Sequence, residues 1–166
     1  MVIHYSMSEC YLGWLLVATT EKGICLVAFD DTPKTLAERL ESCFPQTTRI
    51  LDDTALQATL KQTIAYMKRP GNEFPLTLDI SGTPFQPQVW DALQKIHPGT
   101  TVTYSELAKS IGKPKAIRAV ASACAANKIA VIIPCHRVIR SDGGLGGYRW
   151  GLERKQALLA LEADQT

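Results

Sequence analysis

The sequence predicts an N-terminal α/β domain with a small antiparallel sheet, followed by a mainly helical domain that contains a helix-turn-helix. Two apolar runs at residues 12–18 and 23–29 are separated by the turn signal of residues 20–23, a pattern typical of an antiparallel hairpin. From residue 85 onward, apolar residues recur at helical spacing instead. The change of pattern indicates two structural classes within 166 residues.

The first domain is predicted over residues 1–80. Residues 3–8 add a third strand to the hairpin, and amphipathic helices follow over 35–43 and around 56–67, each closed by a proline. Residues 76–80 alternate between apolar and polar side chains, as a strand does. No grouping of residues in this domain suggests catalysis.

The second domain is predicted over residues 81–166, and segment 81–84 serves as the linker. Its first helix places apolar residues on one face over 85–96. Residues 103–106 have the sequence of a capping box, Thr-Tyr-Ser-Glu, which opens a second helix over 104–110.

The third helix of this domain is predicted from Lys113 to about Ala126, after a turn at Gly112. Two helices joined by a short glycine-containing turn make a helix-turn-helix. The third helix is rich in alanine. Either it packs tightly against its neighbours, or it is slim enough to approach nucleic acid closely, with Arg118 as the only long side chain on its surface.

Charge is distributed unevenly along the chain, although the net charge is only +2. Residues 95–155 contain eleven Lys and Arg against three Asp and Glu, a net of +8, and the remainder has a net of −6. Segregation of this size favours a polyanionic partner for the C-terminal half, and with the helix-turn-helix it favours DNA.

The cysteines argue against a disulfide framework and against a structural zinc site, because their number is odd and no CxxC pair exists. Reduced thiols indicate a reducing compartment. Residues 1–4 do not open a signal peptide, and no apolar run is long enough to cross a membrane. We therefore expect a cytoplasmic protein. The five cysteines are Cys10, Cys25, Cys43, Cys124 and Cys135.

The stretch around Cys135 is the strongest candidate for chemistry. The β-branched run 131–133 predicts a buried strand or extended segment, and Pro134 is suited to begin a helical turn. Cys135 would then lie at the positive end of a short helix beside His136 and Arg137, a setting that favours the thiolate.

The residues alone leave two interpretations of Cys135 open, a small core residue or a nucleophile. Adjacent helical residues do not face each other, so His136 acts as a base only through a water, or the turn is not regular helix.

A glycine-rich loop follows, with four glycines within residues 143–147. Its backbone can approach a ligand closely. The aromatic residue Trp150 at its end either closes over a flat base and excludes large substituents, or packs into the core. A C-terminal helix from Leu152 then carries Glu162.

These features together resemble the O6-alkylguanine-DNA alkyltransferase family over essentially the whole chain. Within that family the chain is similar to the C-terminal, alkyl-accepting half of the bacterial adaptive-response (Ada) protein. The resemblance implies an RNase H-like N-terminal domain and a winged helix-turn-helix DNA-binding domain. The motifs that carry it are PCHRV at 134–138, TYSELA at 103–108, KPKAIRAV at 113–120 and AN at 126–127.

Catalytic roles are implied by the resemblance at five positions. Cys135 would accept the alkyl group, and His136 would act as base through a water. Glu162 would orient and stabilise the imidazolium, and Asn127 would brace the turn. Tyr104 would help rotate the nucleotide and donate a hydrogen bond to the flipped guanine.

The resemblance also implies how DNA is held. Arg118 would fill the base stack where the damaged base leaves, with Ala119, Ser122 and Lys115 at the same interface. The backbone carbonyls of Cys135 and Val138 and the amide of Arg149 would read the guanine edge. The substrate pocket is assigned to Pro134, Val138, Tyr148, Arg149 and Trp150.

The implied activity is that of a methylated-DNA–[protein]-cysteine S-methyltransferase. It would flip O6-alkylguanine, and also O4-alkylthymine, out of duplex DNA and transfer the alkyl group irreversibly to Cys135 in a single turnover. We expect a monomer that needs no cofactor and no metal and works on nucleoid DNA of a bacterium. The sequence leaves open whether the chain stands alone or belongs to a longer regulator whose other half carries a four-cysteine zinc site.

Two alternatives come from other functional classes. A cysteine-dependent hydrolase or acyltransferase would also use Cys135, His136 and Glu162, but it has no need of a helix-turn-helix. A non-catalytic DNA-binding module needs Arg118 and the basic half, but not the cysteine.

Overall fold

Three antiparallel strands begin the chain in a computed structural model that describes residues 1–71 and 73–165. Strands β1 (Val2–Cys10), β2 (Gly13–Thr20) and β3 (Gly23–Asp30) form consecutive hairpins, as the apolar runs predict. The chain turns into β3 at Gly23, where φ is +146° and an added Cβ would lie 2.5 Å from the carbonyl oxygen of Thr77. Only glycine fits this approach.

Two helices and a fourth strand complete the first sheet. Helices α1 (Pro33–Cys43) and α2 (Asp53–Lys68) confirm the predicted amphipathic segments. Strand β4 (Thr48–Leu51) pairs parallel to β1, so the sheet order is β3-β2-β1-β4. The predicted antiparallel strands are confirmed, and the sheet is mixed because β4 adds a parallel pair. The sequence did not predict β4, which is too short and too exposed to show a strand pattern.

The prediction of a strand at residues 76–80 was wrong. This segment makes a single bridge, Ile24 to Leu78, with hydrogen bonds on either side of it. Further along the same edge of β3, residues 128–130 bond to both backbone groups of Val27. These two short segments cover the edge of β3, whose side chains from Ile24 to Phe29 are almost completely buried.

The helical part of the chain contains α3 (Gln86–Gln94), α4 (Tyr104–Ser110), α5 (Ile117–Ala125) and α6 (Leu152–Asp164). Short parallel strands β5 (Val102–Thr103) and β6 (Val138–Ile139) accompany them. The capping box of α4 is confirmed: the Thr103 hydroxyl accepts from the Glu106 amide at 3.0 Å, and Glu106 accepts from the Thr103 amide at 3.2 Å.

The start of α5 was predicted four residues too early. Residues 113–116 form a turn in which the Ala116 amide donates to the Lys113 carbonyl. Residue 113 precedes Pro114, and a residue before proline is disfavoured in helical geometry. The helix-turn-helix arrangement of α4 and α5 is confirmed with this shorter second helix.

The chain divides into two compact units. Residues 1–68, 73–80 and 128–130 form the first, and the rest of the described chain forms the second. The boundary predicted between residues 80 and 81 stays a prediction.

Candidate active site and nucleic-acid surface

The turn that carries Cys135 is buried from residue 131 to residue 138. Its first residues were predicted as a strand or extended segment, but they form a turn in which Val131 has a φ of +68°. A β-branched residue rarely adopts this left-handed conformation, so the surrounding packing must impose it. The chain then enters a 3₁₀ helix of three residues, Cys135–Arg137.

Asn127 ties this turn to the end of α5. Its side-chain Nδ2 donates to the Ile133 carbonyl at 2.8 Å and lies 3.4 Å from Sγ of Cys135. Asn127 is itself 1% exposed. A single amide group therefore holds both the backbone of the turn and the candidate nucleophile.

A buried ionic cluster lies on the next two residues of the turn. Nε2 of His136 is 2.6 Å from Oε1 of Glu162 on α6. Nε of Arg137 donates to both oxygens of the same carboxylate, at 2.8 and 3.1 Å. All three side chains are at most 2% exposed. The sequence interpretation named His136 and Glu162, and the structure brings them together.

The protonation state of Cys135 differs from the sequence prediction. Burial raises the pKa of the Cys135 thiol, although the Asn127 hydrogen bond and the charges of Lys155 and Arg149 act in the opposite direction. The prediction that the resting thiol favours the thiolate was therefore wrong. A three-residue helix aligns too few peptide dipoles to offset complete desolvation.

Burial also lowers the pKa of His136, while Glu162 raises it and Arg137 and Lys155 lower it further. Burial works against ionisation of Glu162, but the hydrogen bonds from His136 and Arg137 prevail and its pKa is below the ordinary value. The resting cluster is thus a neutral imidazole and a guanidinium that share the carboxylate of Glu162.

Lys155 is a buried residue that the sequence interpretation missed. Its Nζ donates to the carbonyls of Val138, Leu145 and Gly147, at 2.7 Å for Val138 and 3.2 Å for Gly147. The spacing from Lys155 to Glu162 is seven residues, which places both on one face of α6. That spacing within a leucine-bearing helix is the signal that could have identified it.

Tyr104 lies at the first position of α4, near the glycine loop. A Cβ added to Gly146 would be 3.1 Å from the Tyr104 hydroxyl, and Gly146 has a φ of +73°. Burial raises the pKa of Tyr104 to about 12, with Cys124 and Cys135 contributing. The phenol is therefore protonated at neutral pH and able to donate a hydrogen bond.

Of the two aromatic residues that end the loop, Tyr148 packs against His136 and Trp150 packs against Tyr148. The ring of Tyr148 is edge-on to His136, with centroids 6.4 Å apart, and to Trp150 at 5.3 Å. Trp150 is 2% exposed, so the hypothesis that it closes over a flat base at a pocket mouth gives way to the core-packing alternative. Pro134 and Val138 are buried, and Arg149 is exposed.

The outward face of α5 carries the predicted DNA-binding residues. Arg118, Ala119 and Ser122 are exposed, as is Lys115 in the preceding turn. The opposite face is buried, and the Trp90 indole donates to the Ala123 carbonyl there at 2.9 Å. The packing interpretation of the alanine-rich helix is therefore confirmed for its buried face. The approach of the exposed face to nucleic acid and the roles of these four residues stay predictions.

Comparison with known proteins agrees with this arrangement. A family model described as the 6-O-methylguanine DNA methyltransferase ribonuclease-like domain matches residues 3–80, and one described as the DNA-binding domain of the same protein matches residues 84–164. The methylated-DNA–protein-cysteine methyltransferase of Methanosarcina barkeri is 41% identical over 160 residues, covering 96% of this chain and 97% of that relative. The chain belongs to the 6-O-methylguanine DNA methyltransferase family.

Other members of the family extend the comparison. The bifunctional transcriptional activator and DNA repair enzyme Ada of Escherichia coli (strain K12) is 49% identical over 164 residues, 99% of this chain. The chain spans only 46% of the length of that relative, or about half. The solved structure of Mycobacterium tuberculosis OGT in complex with DNA has a TM-score of 0.79 and 35% identity, covering 98% of this chain and 94% of that one.

The described part of the chain contains neither a membrane-spanning helix nor a cluster of metal ligands. No helix in residues 1–71 or 73–165 is long and apolar enough to cross a membrane. Within the same residues, no three His, Cys, Asp or Glu side chains cluster as metal ligands would.

Replacing Trp150 by alanine should destabilise the protein strongly. Removing a buried aromatic side chain costs about 3–5 kcal/mol, which lowers the Tm by about 10 °C in a chain of this size. Scanning calorimetry measures the shift, and Trp14→Ala, at a half-buried position in β2, is the control with the smaller expected loss. An unchanged Tm would contradict the core position of Trp150.

Proposed function

We propose that this chain repairs O6-alkylguanine in double-stranded DNA by transferring the alkyl group to its own Cys135. The observation that carries the proposal is the 3.4 Å contact between Asn127 Nδ2 and Cys135 Sγ, next to the buried His136–Glu162 pair. Family membership supports it, because the matching relatives are methylated-DNA–protein-cysteine methyltransferases.

The transfer is a displacement at a saturated carbon. The thiol of Cys135 gives its proton to His136 through a water, and the sulfur forms a bond to the alkyl carbon as the carbon–oxygen bond of the base breaks. Guanine leaves with the electron pair, and a hydrogen bond from Tyr104 stabilises its growing negative charge. The thioether product has no carbonyl that water could attack, so the protein acts once.

Proton transfer to His136 creates a positive charge beside the buried carboxylate of Glu162. Before reaction the thiol and the imidazole are both neutral, which avoids an ion pair in a desolvated site. When His136 takes the proton, the Glu162 carboxylate is already hydrogen-bonded to its Nε2 and stabilises the new imidazolium. No reorganisation of Glu162 is needed at that moment.

DNA would be bound by the outward face of α5. Ala119 and Ser122 are small enough for the helix to approach the duplex closely, and Lys115 would contact phosphate. Arg118 would occupy the stack where the damaged nucleotide leaves, which offsets part of the cost of unstacking. The same pocket would accept O4-alkylthymine.

The flipped base would be read by the turn and the glycine loop. The backbone carbonyls of Cys135 and Val138 and the amide of Arg149 would face the guanine edge, with Pro134 and Tyr148 lining the pocket. We further propose that the protein acts as a monomer in the bacterial cytoplasm and associates with the nucleoid during repair.

Mass spectrometry after incubation with duplex DNA containing O6-methylguanine tests the proposal. We expect one persistent methyl group on the peptide that contains Cys135, and a reaction that stops at one equivalent of DNA because the thioether is stable. A hydrolase or a simple DNA-binding module would leave the protein mass unchanged. Repair continuing beyond an equimolar amount would contradict the single-turnover mechanism.

A further inference from the structure

Arg137 is a fully buried cation that has no role in the reaction described so far. It is 2% exposed. Its Nη1 donates to the Ile96 carbonyl at 2.7 Å, and its Nε donates to both oxygens of Glu162. Guanidinium groups keep their charge in proteins, so this is a permanent positive charge fixed against the carboxylate.

Glu162 therefore serves two partners with the same two oxygens. His136 Nε2 is 2.6 Å from Oε1 and 3.2 Å from Oε2, and both oxygens also accept from Arg137. An ionised carboxylate accepts only, so Nε2 of His136 must carry the hydrogen. In the neutral ring, Nδ1 is then the basic nitrogen, and among the described residues no hydrogen-bond partner for this buried atom exists.

Because Glu162 is shared with Arg137, its carboxylate favours protonation of the His136 imidazole less than it would alone. A carboxylate whose only partner is a histidine favours the imidazolium. Here the guanidinium already neutralises the same oxygens. Lys155 also acts on His136 and opposes a positive imidazole. The Tyr148 ring lies edge-on to His136, and the Cys135 thiol is its neighbour in the chain.

We propose that Arg137 is a positioning residue of the alkyl transfer: by sharing Glu162 with His136, it lets the carboxylate orient the imidazole without protonating it before substrate binds. This inference rests on the proposed function, since a resting base must be neutral only if it has to accept the Cys135 proton. Arg137 would act through the Glu162 carboxylate, to which its Nε donates.

The pH dependence of methyl transfer tests this role in single-turnover assays. In Arg137→Gln the charge is lost, so His136 becomes protonated at a higher pH. Transfer should then be about tenfold slower than wild type at mildly acidic pH and nearly equal at mildly alkaline pH. Arg137→Lys keeps the charge and should restore the wild-type profile. Arg39→Gln, which removes the Arg39–Asp30 pair of the first unit, is the matched control and should not change the profile.

A purely structural role predicts a different result. If Arg137→Gln slows transfer by the same factor at every pH, or if Arg137→Lys fails to restore the profile, the proposal is overturned. Nitrogen NMR of His136 gives an independent reading without alkylated DNA: the wild-type ring should be neutral at neutral pH, with Nδ1 unprotonated. An imidazolium there overturns the proposal even if Arg137→Gln does not fold. If the wild-type protein transfers no methyl group, the proposed function is contradicted. The NMR titration of His136 would still test the role of Arg137.

Discussion

Replacing Cys135 by serine should abolish methyl transfer while leaving DNA binding nearly intact. An alcohol is far less acidic than a thiol, and its oxygen is a poor nucleophile toward a saturated carbon compared with a soft thiolate. Serine is close to cysteine in size and still accepts the Asn127 hydrogen bond, so the turn should keep its shape. The measurement pairs protein mass after incubation with methylated DNA and a titration of the same duplex.

The control for this variant is Cys124→Ala on α5. Cys124 is 5% exposed, and burial raises its pKa to about 12, which makes it a poor nucleophile. Its replacement should leave transfer unchanged. A methyl group found on Cys124 of the serine variant would contradict the assignment of Cys135 as the sole acceptor.

Arg118→Ala should slow repair of duplex DNA by about a hundredfold, because filling the vacated stack is worth a few kcal/mol and each 1.4 kcal/mol is tenfold. Reaction with the free base O6-methylguanine needs no unstacking and should be unchanged. The two rates are measured on one protein preparation, so differences in stability cancel.

Arg69→Ala is a suitable control for Arg118, since Arg69 is exposed and lies outside the helix-turn-helix. It removes the same charge and should affect both substrates little. If Arg118→Ala slows the reactions with duplex DNA and with free base equally, Arg118 would act in the chemistry of the active site and not in the base stack.

Local patterns accounted for most of the secondary structure. The capping box at Thr103 and Glu106 forms within four consecutive residues, so nothing distant is needed to specify it. The same holds for the hairpin turns before β2 and β3 and for the proline that follows α1. The errors fall where strand pairing is long-range. Strand β4 forms through its backbone pairing with β1, which is distant in the sequence. Residues 76–80 make one bridge because only a short part of the β3 edge is open to them.

The candidate site shows the same division. The Pro-Cys-His-Arg run and the spacing from Asn127 to Cys135 could be read directly from the sequence, and they identified Cys135 as the candidate nucleophile together with its neighbours in the turn. The spacing from Lys155 to Glu162 indicates that both lie on one face of α6, but the burial of the Lys155 and Arg137 charges could not be read from the sequence, because a basic residue on a helix or turn is normally solvated. Only packing shows that both are buried with their charges directed inward.

The sequence by itself determined the order of the helices, the helix-turn-helix, the candidate nucleophile Cys135 and the family to which the chain belongs, because each depends on residues close together in the chain or on a contiguous motif. The tertiary structure alone decided the left-handed turn at Val131, the core position of Trp150 and the protonation of Cys135. These depend on how completely distant segments exclude water. Desolvation reverses the direction that the neighbouring charges alone would give to the pKa of Cys135.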